Sequence, residues 1–372
     1  MLVDWLGFFI ILGLLLVLDL KVIHKDPHAI GMREATRWSI IWISIGVAFS
    51  GVIYLVYELN WGGAGRGAGG SGIVRDGATA TWEYLTAFLI EKSLSVDNIF
   101  VMSMLFTYFK VPAKYQHKVL YWGILGALVF RGIMIAVGTA LVREFDWIFY
   151  IFGAFLLFTA VRMILQSEDE HFDPSSSRLV RWAKRVFPLV ERYEGGHFRV
   201  KVDGKHYFTL LFLAVVVIEG TDVVFAVDSI PAVFGVTDDP FIVMTSNVFA
   251  ILGLRALYFV VAGAMEEYRY LKQAVSAILV LVALKMLAHD LIHVDSKWSL
   301  VVVVVILAVG VVASIMKNRQ EERHEAAQGG DGDSDGDGET DGDGDGDGET
   351  DGDDETETDG DGDGDRDRDR VE

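Results

Sequence analysis

Nine apolar runs, each long enough to cross a bilayer, occupy most of the first 316 residues of this 372-residue chain. A hydrocarbon core about 30 Å thick needs roughly 20 helical residues to cross it, so each run predicts one membrane-spanning helix. The expected fold class is therefore all-α: a polytopic membrane protein with about nine transmembrane helices. The runs lie near residues 5–23, 38–58, 82–108, 118–142, 146–166, 207–230, 240–263, 270–290 and 298–316.

The net charge of the chain is concentrated in its C-terminal segment. The whole chain is 52% hydrophobic and has a formal net charge of −20. Residues 331–372 contain 22 acidic residues and 3 arginines, which leaves the apolar remainder nearly neutral. The repeated Asp-Gly pattern lacks the spacing of a calcium-binding loop, so we expect a disordered acidic tail, of a kind that suits a cytoplasm of high salt.

The lysines and arginines predict the orientation of the helices. If the N-terminus lies outside, the predicted cytoplasmic loops contain 20 of these residues and the external loops contain 4. Because positive charge is enriched in cytoplasmic loops, this distribution predicts a plasma-membrane protein with its N-terminus outside and its C-terminus in the cytoplasm. The first run has neither a basic start nor a cleavage site, so we expect it to remain as a span.

Five carboxylates lie inside the apolar runs. Glu91 and Asp97 belong to EKSLSVDN, and Glu219, Asp222 and Asp228 belong to EGTDVVFAVDS. An ionisable residue at the membrane centre costs about 2.5–3.5 kcal/mol on insertion scales, so these groups require a partner, a proton or a cation. The chain contains no cysteine, so its metal ligands would be oxygen or imidazole. Oxygen ligands favour Mg²⁺, Ca²⁺ or Mn²⁺.

The acidic segments belong to an internal repeat of about 125–130 residues. In each copy two carboxylates lie six residues apart, and a buried arginine follows, Arg131 in the first copy and Arg255 in the second. Three helices thus match the next three, and an odd shift makes the second unit cross the membrane in the opposite direction. This pattern predicts an inverted 3+3 helix repeat, as in secondary transporters, with the substrate at the repeat interface. We interpret the two arginines as counter-charges that hold the empty site together.

The predicted organisation follows from the runs and the repeat. It comprises two N-terminal transmembrane helices (1–58), a Gly-rich external linker (59–81), a first three-helix repeat (82–166), a basic cytoplasmic loop (167–206), a second three-helix repeat (207–290), a last transmembrane helix (298–316) and an acidic cytoplasmic tail (317–372).

The six-residue spacing leaves open whether two helices are broken at the acidic motifs. On a continuous helix, residues six apart point about 120° away from each other and cannot face one ion. The residues before Asp97 and the Gly220-Thr221 pair before Asp222 tolerate a local unwinding, which would bring the carboxylates together.

The basic loop is expected to have structure of its own. The segment RLVRWAKRVFPLVERY predicts an amphipathic helix lying on an anionic inner leaflet. The segment after it predicts a β-hairpin with Asp203 and Gly204 at its turn.

The segments EKSLSVDNIFV and IEGTDVVFAVDSIPAVFGVT closely resemble the two signature stretches of the TerC family of integral membrane proteins. The resemblance extends over all nine predicted helices but not over the acidic tail. Members of that family are associated with tellurium resistance and, in several bacteria, with export of manganese. The resemblance therefore implies Mn²⁺ as the transported ion. It implies that the acidic motif comprises Glu91, Asp97, Asn98, Glu219, Asp222 and Asp228.

The predicted function is a secondary transporter that exports a divalent cation by alternating access, with Mn²⁺ as the first candidate. The lipid bilayer and the metal ion are the expected partners, and neither catalytic residues, a resident cofactor nor a nucleic-acid partner is expected. Two alternatives stay open: a membrane scaffold in tellurite or metal stress, whose acids and bases form static ion pairs, and a monovalent cation/proton antiporter. His289, Asp290 and His293 have the spacing of an exit-side metal site but also that of ordinary interfacial residues.

Overall fold

The computed structural model describes residues 2–18, 31–61, 74–145, 147–165, 178–190, 192–263, 270–288 and 295–329. The acidic tail from 331, residues 62–73 of the linker, and His289, Asp290 and His293 lie outside these ranges. The elements are α1 (Leu2–Leu18), α2 (Met32–Glu58), α3 (Gly77–Tyr108), α4 (Ala113–Glu144), α5 (Ile148–Leu165), α6 (Arg178–Val186), β1 (Leu189–Val190), β2 (Arg199–Val202), β3 (Lys205–Thr209), α7 (Leu210–Phe234), α8 (Pro240–Ile251), α9 (Leu254–Gly263), α10 (Leu271–Leu287) and α11 (Ser296–Gly329).

Every predicted run overlaps a helix or a pair of helices, but fewer than nine satisfy the length and hydropathy of a membrane span. Within the described ranges five helices do so, namely α2, α4, α5, α7 and α11, and the bent pair α8–α9 would be a sixth. Helices α1 and α10 contain only 17 residues each, and α3 contains Glu83, Glu91, Lys92 and Asp97. The structure therefore supports five or six spans, and the count of nine stays a prediction.

In the described part of the chain, the structure has no helix break beside the acidic residues. Helix α3 is continuous through Asp97, and α7 is continuous through Gly220. The break lies instead between α8 and α9, which meet at 47°. Gly253 supplies the left-handed turn with φ +82°. The Nζ of Lys92 donates to the carbonyl oxygens of Ala250 (3.0 Å) and Leu252 (3.4 Å), groups that the break deprives of helical partners.

Two pairs of helices run side by side in the same direction. Helix α3 packs along α8–α9, with Glu91 beside Asn247 and Phe106 beside Tyr258. Helix α4 packs along α7, and the close approaches of Gly126 and Gly138 on α4 allow this contact. Helix α5 packs on α10, so each of the three helices α3, α4 and α5 makes its most extensive contact with the second set to a different member.

A small three-stranded sheet and α6 lie between α5 and α7 in the chain. The fold is therefore mostly helical rather than purely all-α. The strand order is β1-β3-β2, with β2 and β3 antiparallel and β1 parallel to β3. Asp203 and Gly204 form the hairpin turn with φ of +49° and +79°, which confirms the predicted hairpin. Strand β3 reaches Thr209, so the second helix set begins at Leu210 rather than at residue 207.

The amphipathic helix α6 is present but shorter than predicted. Its Val180 and Ala183 are buried, and Leu179 lies against Gly220 of α7. One side of α6 therefore packs on the helix bundle. Trp182 (53% exposed) and Val186 (51% exposed) remain uncovered.

Candidate functional site

Five polar residues from four helices meet in the interior of the bundle, and we call them the central cluster. Arg131 of α4 donates from Nη1 to Glu91 Oε2 of α3 at 2.7 Å. It also donates to both carboxylate oxygens of Asp222 of α7, from Nε at 3.2 Å and from Nη2 at 3.3 Å. The same Nη1 lies 3.3 Å from the Ser229 hydroxyl and 3.3 Å from the Asn247 amide oxygen. Asn247 Nδ2 of α8 donates to Glu91 Oε1 at 2.8 Å.

The side chains of the central cluster are buried. Arg131, Glu91 and Asp222 are 2%, 1% and 3% exposed, and Asn247 is fully buried. One guanidinium faces two carboxylates, so the cluster has an excess of one negative charge when all three groups are ionised. Removing one partner of a buried ion pair costs about 3–5 kcal/mol, because it leaves an uncompensated charge. The arginine is thus required as long as no other cation occupies its place.

The oxygen atoms of the central cluster converge on one point, which the guanidinium occupies. They come from two carboxylates, an amide and a hydroxyl, which are ligands of hard divalent cations. Within the described ranges no group of three His, Asp or Glu residues is arranged to hold a metal ion. A cation could therefore use these oxygens only after the guanidinium of Arg131 had moved away.

The second acid of each repeat lies away from the central cluster. Asp228 of α7 accepts a hydrogen bond of 3.2 Å from the Thr159 hydroxyl of α5. Asp97 of α3 is partly buried. The positive charge of Lys272 on α10 interacts with it electrostatically. Each lies six residues from the acid in the cluster, which is about 9 Å along a helix. Because α3 and α7 run in opposite directions, the carboxylates form a series that extends to both sides of the centre.

Asn98 is buried at the same level as Asp97. It does not contact Arg131, so the structure does not bring all six residues of the acidic motif to one point.

Glu219 lies one turn from Asp222 on α7 and packs on α4. Its carboxylate lies so close to Gly126 that an added Cβ would overlap it. The Oε2 atom is buried and has no hydrogen-bond partner among the described residues. The glycine thus makes the space that this carboxylate fills.

The second predicted counter-charge does not occupy a position equivalent to the first. Arg255 is buried at the start of α9, just after the break. The hydrogen bonds that hold Glu91 and Asp222 come from Arg131 and Asn247, not from Arg255. Arg131 thus pairs with both carboxylates of the central cluster, and the role of Arg255 as a counter-charge stays a prediction.

A second buried ionic group, which we call the outer network, comprises Arg75, Glu83, Thr237, Asp238 and Asp239. Arg75 donates from Nε to Glu83 Oε2 at 2.9 Å and also binds Asp238 through Nη2. The Thr237 hydroxyl donates to the same Glu83 oxygen at 2.6 Å. Arg75 and Glu83 are each 6% exposed. Burial raises the pKa of the Asp239 carboxyl above its ordinary value, although hydrogen bonds oppose this effect.

Sequence reasoning missed the outer network and Asn247. Arg75 falls in the predicted flexible linker, and Glu83 falls at the boundary of a predicted span. Both lie far along the chain from residues 237–239, so the sequence alone does not indicate that these residues meet. Asn247 gives a weak signal as an amide within an apolar run, and Thr245 and Ser246 beside it are equally polar.

The fold and the central cluster define a multi-pass helical membrane protein whose ionisable residues meet in the interior of the bundle. The chain belongs to the family of TerC integral membrane proteins, whose profile matches residues 76–322. That range contains both acidic segments and every residue of the central cluster.

Relatives in several bacteria align with more than four-fifths of this chain. A protein of Escherichia coli K12 named "Putative membrane-bound redox modulator Alx" is 44% identical over 327 residues, which are 88% of this chain and 97% of that protein. An "Uncharacterized membrane protein STKORF319" of Myxococcus xanthus is 40% identical over 322 residues, 87% of this chain and 95% of that protein. An uncharacterized membrane protein of Rickettsia felis is 39% identical over 314 residues, 84% of this chain and 98% of that protein. No solved structure matches the chain.

Proposed function

We propose that this protein is a secondary transporter that exports a divalent metal cation, with Mn²⁺ as the first candidate, across the plasma membrane. The observation that carries the proposal is the convergence of oxygen ligands from α3, α7 and α8 on one buried positive charge. In transport proteins, intramembrane ionisable residues of this kind mark the substrate path. The TerC signatures favour Mn²⁺ among the hard cations that such ligands select.

The packing of the helices supports alternating access between two inverted units. In the predicted repeat α3 corresponds to α7, α4 to α8–α9, and α5 to α10. When each helix is replaced by its counterpart, the contact of α3 with α8–α9 becomes the contact of α7 with α4. The replacement leaves the contact of α5 with α10 unchanged. A twofold axis in the membrane plane would produce this pattern, and the central cluster lies where such an axis would pass. The predicted orientation places the N-terminus outside and the C-terminus in the cytoplasm.

The residues of the cluster suggest a sequence of charge exchange. In the empty state Arg131 neutralises Glu91 and Asp222. An entering cation takes over this role, and the guanidinium moves aside because it and the metal cannot share the same carboxylates. When the cation leaves towards the other side, the guanidinium returns, so that the carboxylates are never left uncompensated. Asp97 and Asp228 would receive the cation on the two sides of the centre.

The name of the Escherichia coli relative describes a redox modulator. The present chain of 372 residues contains no cysteine, so thiol–disulfide chemistry cannot reside in its own side chains. Cation movement requires no such group. We therefore retain transport as the proposed function of this chain.

The experiment measures Mn²⁺ content and growth in excess Mn²⁺ in cells that lack their own exporter. We expect the parent protein to lower cell Mn²⁺ and restore growth, and Asp222→Asn to abolish both effects while inserting normally. Asp203→Asn, which changes an exposed carboxylate at the hairpin turn, is the matched control and should transport like the parent. An unchanged Mn²⁺ content with well-inserted parent protein would favour the scaffold, and Na⁺ or K⁺ movement without Mn²⁺ movement would favour the antiporter.

A further inference from the structure

The outer network connects parts of the chain that belong to different helix units. Arg75 and Glu83 lie before and within the first two turns of α3, the first helix of the first unit. Thr237 and Asp238 lie in the short connection between α7 and α8 of the second unit. The Arg75–Asp238 pair and the hydrogen bond from Thr237 to Glu83 therefore join the two units at one end of the bundle, and Arg75 also binds Glu83 within the first unit.

This end is the outer end in the orientation that the positive charges predict. The connection from α7 to α8 and the start of α3 then face the outside. Tyr57, at the C-terminal end of α2, lies beside Asp239, the N-cap residue of α8, at this same end of the bundle. Apolar contacts, such as that of Gly138 with Phe234, also join the units at this end.

The opposite end of the bundle is fastened differently. There, the Tyr193 hydroxyl donates to the Phe109 carbonyl oxygen at 2.6 Å, and Lys118 Nζ donates to the Gly196 carbonyl oxygen at 2.8 Å. Both bonds join the small sheet region to the α3–α4 turn, and neither is a buried ion pair. Hydrogen bonds to carbonyl oxygens near the surface can be exchanged for water at small cost, whereas a buried ionic group cannot.

On the basis of the transport function proposed above, we infer that the outer network is the outer gate and that the structure represents a state closed to the outside. The two units can separate at the outer end only if Arg75 leaves Asp238 and Thr237 leaves Glu83. Opening hydrates the charged groups, and this hydration offsets only part of the lost pairing, so the ionic group resists opening and forms again on closure. The gate holds the central cluster away from external water until the units rock apart.

The test uses the natural absence of cysteine to report on opening. Thr139 is 7% exposed on α4, eight residues from Arg131 and hence about 12 Å nearer the outer end. Thr139→Cys supplies a single thiol that a membrane-impermeant thiol reagent, added outside, reaches only when the outer end is open. The labelling rate is measured in three backgrounds: Arg75→Met, the milder Asp238→Asn and the parent.

We expect both gate variants to increase the labelling rate, Arg75→Met by about tenfold or more, since it leaves two carboxylates without their cation. The matched control is Lys297→Met, which breaks the exposed pair with Asp295 on the same side of the protein. It should leave the rate unchanged. If Arg75→Met does not insert, Asp238→Asn decides the result.

Inserted gate variants that label no faster than the parent would overturn the assignment of the gate. Labelling does not depend on Mn²⁺, so a parent that fails to export Mn²⁺ would contradict the proposed function without affecting this result. Faster labelling in a protein that moves no cation would leave the outer network as a conformational lock of a protein with another function.

Discussion

Arg131 is the residue whose replacement distinguishes a moving counter-charge from a fixed ion pair. In Arg131→Met the buried Glu91 and Asp222 lose their cation, so the metal-free protein should be less stable by roughly 3–5 kcal/mol. If Mn²⁺ uses the same oxygens, added Mn²⁺ should restore more of the melting temperature in this variant than in the parent. Efflux should be slow, because the carboxylates then release the metal poorly.

Thermal unfolding of the purified proteins with and without Mn²⁺ measures this effect. Mg²⁺ at the same concentration controls for ionic strength and for general binding of divalent cations. A variant equally unstable with and without Mn²⁺ would show that the arginine belongs to a static network, as in the scaffold hypothesis.

Gly126 provides a second test at the residue scale. In Gly126→Ala the new Cβ would overlap the Glu219 carboxylate, the flexible end of its side chain, so the carboxylate should move while the fold remains stable. If Glu219 receives the cation beside the central cluster, efflux should fall severalfold. Gly123→Ala, whose Cβ would lie at 3.5 Å from Ile218, is the matched control on the same pair of helices.

Efflux and melting temperature should be measured together for the two glycine variants. Equal efflux from Gly126→Ala and Gly123→Ala at equal expression would mean that the position of Glu219 does not affect transport. A large loss of stability in Gly126→Ala would instead show that the carboxylate cannot move.

At the scale of the elements, the broken pair α8–α9 depends on a side chain from another helix. In Lys92→Met the carbonyl groups of Ala250 and Leu252 lose their donor in a buried environment, which should cost about 1–3 kcal/mol. The exposed Lys118 donates to the single carbonyl of Gly196. Lys118→Met should therefore cost less. Thermal unfolding compares the two, and equal melting temperatures would show that water replaces Lys92 at the break.

The elements also show what the sequence could predict and where it fell short. The high cost of a charge in an apolar run made Glu91, Asp222 and Arg131 visible as candidates for one site, because such groups must find each other. The position of the break was not predictable, since it depends on a lysine 158 residues away that satisfies the Ala250 carbonyl. The outer network escaped prediction for a similar reason: Arg75 and Asp238 are 163 residues apart.

At the scale of the whole molecule, the acidic tail is expected to act independently of transport. Its Asp-Gly composition offers no apolar surface with which to pack on the helices. Deletion of residues 331–372 should leave Mn²⁺ efflux nearly unchanged, although solubility at high salt would decrease. Efflux and membrane insertion of the truncated protein test this, and a tenfold loss of efflux in normally inserted protein would assign the tail a role in supplying ions.

The side-by-side pairing of α3 with α8 has a consequence for how the protein is made. At about 5–20 residues per second, the ribosome needs roughly 8–30 s to synthesise the chain between Lys92 and its acceptor, Ala250. During this time α3 must reside in or near the translocation channel with charges that its final neighbour cannot yet satisfy. Arg131 follows Glu91 by only 40 residues, so α4 can neutralise that acid early. The arginine at the centre of the mature protein would then first neutralise the charge of Glu91 on α3 during membrane insertion.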